Sequence, residues 1–188
     1  MISRDQALKF LEEQIENKNI IKHMLATEAV MKKLAQRFEP TNEEGWAIAG
    51  LLHDGDYRPE IPAKEQGVKV SQILEEKGYE VPESVKHCMA AHNWSGTQVE
   101  PKSKMDWSLF ICDTLTGLIV AVALVQPEKK LALLSVDSVM RKFKDKAFAR
   151  GTRREDISLC QEKLAIPLEE FIQISLEAMQ EIAGDLGL

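Results

Sequence analysis

Residues Trp107–Val125 read WSLFICDTLTGLIVAVALV. The stretch is close to the length of a bilayer crossing, and its single charge, Asp113, stands near its centre. On insertion scales a carboxylate at that depth costs roughly 2.5–3.5 kcal/mol. Ser108, Thr114 and Thr116 add hydroxyls, and no other part of the chain resembles a span. The segment therefore reads as the buried core helix of a soluble protein. A helix this apolar on all sides needs other helices around it.

Working outward, the chain is a series of helical patterns with short breaks, and the expected fold class is all-α. Ser103 with Asp106 forms a capping-box pattern ahead of the long helix, and Pro127 ends it. Ser3 with Gln6 forms another, followed by Leu8, Leu11 and Ile15 at helical spacing. A second helix is expected over Ile20–Phe38, stopped by Pro40. Thr41 with Glu44 is expected to cap the next, GWAIAGLL, which is apolar nearly all round and ends at His53-Asp54-Gly55. A loop with Pro59 and Pro62 leads to a helix expected from about Lys64 to Lys77, with Gly78 after it. Pro82 opens a helix to about Asn93. Thr152 with Glu155, and Pro167, mark the last two helix starts. No sustained two-residue alternation signals a strand. The expectation is a single domain, 1–188, with its motif-bearing core at about 15–125 and a C-terminal helical extension over about 126–188.

Composition fits a globular domain: 44% hydrophobic, 29% charged, formal net charge -6. The acidic balance argues against a nucleic-acid polymer as partner. Three widely spaced cysteines, Cys88, Cys112 and Cys160, suit a reducing compartment and form no CxxC pair. The opening MISRDQALKF is charged at once. The cytoplasm is the expected location, with no membrane partner.

Four histidines carry the chemistry: His23, His53, His87 and His92. His23 shares a helix face with Ile20, Thr27, Val30 and Leu34. His92 continues a stripe of Val85, Cys88 and Met89, whereas His87 falls off it and is expected to be exposed. Asp113 is buried by its neighbours, and its helix offers no basic residue within one turn. A buried carboxylate needs a charge or a metal, and imidazole with carboxylate suits several divalent ions. A lone inward histidine is ordinarily a core residue bonded to backbone, and a buried Asp can cap a neighbouring helix. The spacing alone leaves those readings beside the metal.

The ordered set His23, His53-Asp54 and Asp113 resembles the HD-domain metal-dependent phosphohydrolase superfamily. HMLATEAVMKKLA looks like that family's first histidine helix, AGLLHDGDY like its His-Asp segment, ICDTLTGLIVA like its final aspartate helix, and MAAHN like its later histidine segment. The resemblance implies an HD-type helical bundle with added C-terminal helices. It implies His23, His53, Asp54 and Asp113 as ligands of a divalent ion, Mn, Zn, Fe, Ni or Mg. Two-metal members place a histidine where KEQGVKVSQIL has Gln66, a poor transition-metal ligand. One metal is therefore expected, with His92 as an outer-sphere or substrate-contacting residue beside Gln66.

The resemblance further implies hydrolysis of a small phosphate ester, such as a nucleotide, by a metal-activated water. Asp54 would orient or deprotonate that water. Asp56 reads either as a general base or as a loop turn residue, and Arg58 either as a phosphate contact or as a solvated side chain. The basic segment Arg141–Arg154 is either a solvated face or an element that steers or holds an anion. Trp46 reads as core; Trp94 and Trp107 either pack or border a pocket. Two rival functions stand beside hydrolysis: a catalytically silent metal- and nucleotide-binding module, and a di-iron oxygenase. The last helix, with Leu168, Phe171, Ile172, Leu176 and Met179, either covers the core or forms a homo-oligomer interface.

Overall fold

A computed structural model describes residues 1–188. Eleven α-helices follow one another with no strand: α1 Arg4–Gln14, α2 Lys18–Phe38, α3 Glu43–Leu52, α4 Lys69–Glu76, α5 Glu83–His92, α6 Trp94–Thr97, α7 Lys104–Leu124, α8 Val136–Lys144, α9 Arg154–Ser158, α10 Leu168–Glu181 and α11 Ala183–Leu186. The all-α class read from the sequence is the class observed.

The long apolar segment is α7, and it is a core helix: 67% of its most apolar window is buried. Its N-terminus is fixed locally. The Ser103 hydroxyl accepts from the Asp106 N–H at 3.1 Å, and Asp106 accepts from Ser103 N–H at 2.9 Å. Asp106 also accepts from Lys102 N–H and lies 3.0 Å from His87 Nδ1. His87 is thus half-buried and anchored, rather than free on the surface.

α2 packs against α3, α7 and α10, and α5 packs against α3 and α7. The stripe of Met24, Thr27, Val30, Met31 and Leu34 supplies α2's buried face. On the same helix Glu28 is almost fully buried. It is answered by Arg4, whose two guanidinium nitrogens lie 2.6 and 3.0 Å away, and by Lys32 at 3.1 Å. That fork fastens α1 to α2. α3 is buried along nearly its whole length, with Trp46 inside and its indole N–H on Glu39 at 2.8 Å. α10 lays Phe171, Ile172, Leu176 and Met179 onto the core, so this face covers the bundle.

Three expected boundaries are corrected. Pro40–Asn42 forms a 3-10 turn, and α3 starts at Glu43 without a side-chain cap, so Thr41 lies too early to act as one. α9 begins at Arg154, with no capping bond from Thr152. The helix expected from Lys64 begins only at Lys69. Asp56 decides this last point. Its buried carboxylate accepts the N–H of Gly67, at 3.0 and 2.8 Å to its two oxygens, and that of Val70 at 2.8 Å. Gly67 sits at φ +87°, and a Cβ there would lie 2.3 Å from the Met89 carbonyl. Only glycine allows the loop to pass so close to α5.

Asp56 thus holds the chain between the His-Asp turn and α4. Replacing it with Asn should cost about 2–4 kcal/mol in urea unfolding, because bonds to an ionised acceptor are lost in a buried place. Metal binding by the folded fraction should be unchanged. Lost metal with unchanged stability would return Asp56 to the chemistry.

Candidate metal centre

Four elements deliver the cluster: α2 brings His23, the end of α3 brings His53 and Asp54, α5 ends on His92, and α7 carries Asp113. Two overlapping groups emerge, His23–His53–Asp113 and His53–Asp54–His92, with ligand atoms in each within 4.8 Å of one another. His23 Nε2 lies 2.9 Å from Asp113 Oδ1 and 3.2 Å from His53 Nε2. Asp54 Oδ2 lies 3.8 and 3.6 Å from those two nitrogens, and Asp54 Oδ1 lies 3.4 Å from His92 Nε2. A metal with ligands at about 2.1 Å sets neighbouring donors about 3.0 Å apart in octahedral geometry and about 3.4 Å apart in tetrahedral geometry. The edges of 2.9, 3.2 and 3.4 Å match those values, and the Asp54 Oδ2 edges of 3.6 and 3.8 Å are longer.

Proton bookkeeping sharpens the fit. His53 Nδ1 donates to the Gly50 carbonyl at 2.8 Å, and His92 Nδ1 donates to the Met89 carbonyl. The Thr116 hydroxyl gives its one proton to the Asp113 carbonyl at 2.8 Å, so it accepts from His23 Nδ1 at 3.2 Å. All three rings therefore spend their Nδ1 protons outward and turn Nε2 toward the cluster. Two such nitrogens 3.2 Å apart present lone pairs to each other unless a cation, a proton or a metal, lies between them. These buried groups can hold a metal ion.

The carboxylates agree. Burial alone would raise the Asp113 carboxyl, but hydrogen bonds from His23 and His53 outweigh it and hold Asp113 well below the usual range. Asp54 is also lowered: burial opposes, and the charges of His53 and His92 prevail. His53 is raised although burial opposes it, chiefly by the charge of Asp54. His92 is raised against burial by its bond to Asp54.

The sequence-named residues divide as follows. His23, His53, Asp54 and Asp113 come together. His92, expected outside the ligand set, has its Nε2 in the cluster, because the buried stripe of α5 ends directly against His53, with ring centroids 4.9 Å apart. Asp56 does not join; its oxygens are taken by backbone N–H groups, and burial pushes its carboxyl up. Arg58 donates to Gln14 at the end of α1, at 3.0 Å. The Gln66 amide lies 3.4 Å from the Ile61 carbonyl, within the loop. Trp94, Trp107 and Phe110 pack edge-to-face, and Trp94 and Phe110 also border a cavity of about 440 Å³ beside His92.

No family model matches the chain, and no curated protein or solved structure gives a significant match. The chemistry therefore rests on the site itself.

Two residues were not singled out by the sequence. Thr116 fixes the His23 ring. Arg153, from the basic segment, places its guanidinium 3.5 Å from Asp113 Oδ2 while also pairing with Asp156 at 2.7 Å. Asp113 thus presents one oxygen to the histidines and the other to Arg153.

The shifts set a pH dependence for chelated protein. Raised imidazoles contribute stability that is full below their ordinary value of 6.5 and is lost as pH rises through their folded values. Depressed carboxylates contribute stability present above 3.8 and lost as pH falls through their folded values. With chelator, the melting temperature should peak between about pH 4 and 6.5 and fall as the pH rises above 6.5. Added metal, which replaces the shared protons, should remove the alkaline loss. A melting temperature that climbs with pH throughout this alkaline range, in chelator, would show that the cluster holds no such protons.

Proposed function

We propose that the chain is a metal-dependent phosphohydrolase of the HD type, acting on a small phosphate ester. One observation carries the reading: three Nε2 atoms and two carboxylates converge with every Nδ1 turned outward. The resemblance of the His23, His53-Asp54 and Asp113 segments supports the same reading. Asp54 turns one oxygen toward His23 and His53 and the other toward His92.

The two ligand groups share His53 Nε2, and one nitrogen binds one ion. Gln66 supplies no imidazole and bonds within its own loop. Both points favour a single ion held by His23, His53, Asp54 and Asp113, with His92 completing the set or contacting substrate. When bound, a divalent ion would lower the pKa of a water and polarise a phosphoryl oxygen. Asp54 would orient that water and take its proton, and His92 lies 3.4 Å from its outer oxygen. His53, His92 and Thr116 hold this arrangement rigid through their outward bonds.

Elemental analysis of protein purified without added metal should give a metal-to-protein ratio near one. With that metal, a phosphoester panel should yield product. Asp54→Asn should lower turnover by about 10³-fold or more and weaken metal retention without unfolding the chain. Metal and nucleotide bound with no product anywhere would favour a silent binding module. A ratio near two with oxygen consumption would favour an oxygenase.

A further inference from the structure

Arg154 is buried, and its guanidinium faces carbonyls rather than a carboxylate. It donates to Phe143 and Phe148 at 2.7 Å each and to Asp145 at 3.1 Å. This cage fixes the chain before α9, and the loop 149–153 is laid over the cluster. The Arg153 N–H lies 3.3 Å from the Thr114 hydroxyl, and its guanidinium sits above Phe110. Beside the loop is a shallow, open depression lined by His23, Asp113, Gly117, Arg150, Thr152 and Arg153. A second cavity of about 380 Å³ shares His23 and Gly117 and continues along Val120, Leu124, Leu186 and Leu188, with Asn19 and Lys22 also lining it.

Gly117 lies where the depression and the cavity join. Glycine is a poor residue inside a helix, and here it stands in the body of α7. Its backbone does not adopt a positive φ, and a Cβ would meet nothing within 4 Å. Neither packing nor backbone geometry requires glycine. An added side chain would instead project into the groove beside His23.

We infer that Gly117 keeps open a substrate groove for an amphipathic phosphate monoester. Its anionic head would meet Arg150 and Arg153 beside Asp113. Its aliphatic body would cross Gly117 onto Val120, Leu124 and the C-terminal Leu186 and Leu188. Charge complementarity places the head: in an acidic protein, this rim is basic. Apolar side chains place the tail, and Leu124 is half exposed, ready to be covered. The assignment rests on reading the cluster as the seat of a phosphate ester.

Phosphonates test the groove without turnover, because they have no ester bond to cleave. Metal-loaded protein is titrated calorimetrically with methylphosphonate and hexylphosphonate. Each buried methylene adds about fourfold in affinity, so hexylphosphonate should bind at least about tenfold tighter. Arg153→Gln should weaken both ligands by a similar factor, about tenfold or more. Gly117→Leu should raise the melting temperature yet erase the hexyl advantage. Equal affinities, no binding of either ligand, or a hexyl advantage that survives Gly117→Leu would overturn the groove. A hexyl advantage with no product from any ester would keep the groove and sink the hydrolase; product without the advantage would do the reverse.

Discussion

A carboxylate in the middle of the most apolar helix must be answered by positive charge, and the molecule is arranged around that answer. The Asp113 side chain is only 17% exposed, and α7 carries no base of its own near it. Its partners come from elsewhere in the fold: His23 on α2 and His53 at the end of α3 face one oxygen, and Arg153 faces the other. The packing of α2 against both α3 and α7 is therefore more than apolar burial. It holds the imidazoles at the one place where the carboxylate can be tolerated. Thr116, one turn beyond Asp113, turns the His23 ring, so α7 supplies both the charge and the device that orients its partner.

What could be read in the sequence was what local chemistry decides. Ser3 with Gln6 and Ser103 with Asp106 cap helices because three-residue spacing alone brings side chain to backbone. The inward faces of His23, His92 and Asp113 follow from helical period. The start of α4 could not be read this way. It is set by Asp56, whose acceptor oxygens lie 11 and 14 residues before the N–H groups they bind. Thr41 fails as a cap because Pro40 turns the chain first. His92's place in the cluster depends on where the stripe of α5 meets His53, which no period reports. The resemblance named His23, His53, Asp54 and Asp113 together; periodicity only gave each a direction.

The C-terminal extension illustrates the same division. Its basic run was visible, but a basic run reads equally as a solvated face. Arg154 and Arg153 are adjacent and have opposite fates. One is buried among carbonyls and shapes the loop; the other is half exposed and faces Asp113. Only the return of the chain over α7 separates the two roles.

The distance along the chain between the partners has a kinetic meaning. His23 and Asp113 are separated by 90 residues. No local hairpin or helix can bring them together, and the pair forms only once α7 has docked on α2. An ion held between them would have no preformed seat in a partly folded chain. Its free energy would therefore fall on the unfolding barrier, lengthening the life of the native state while leaving the rate of folding nearly unaltered.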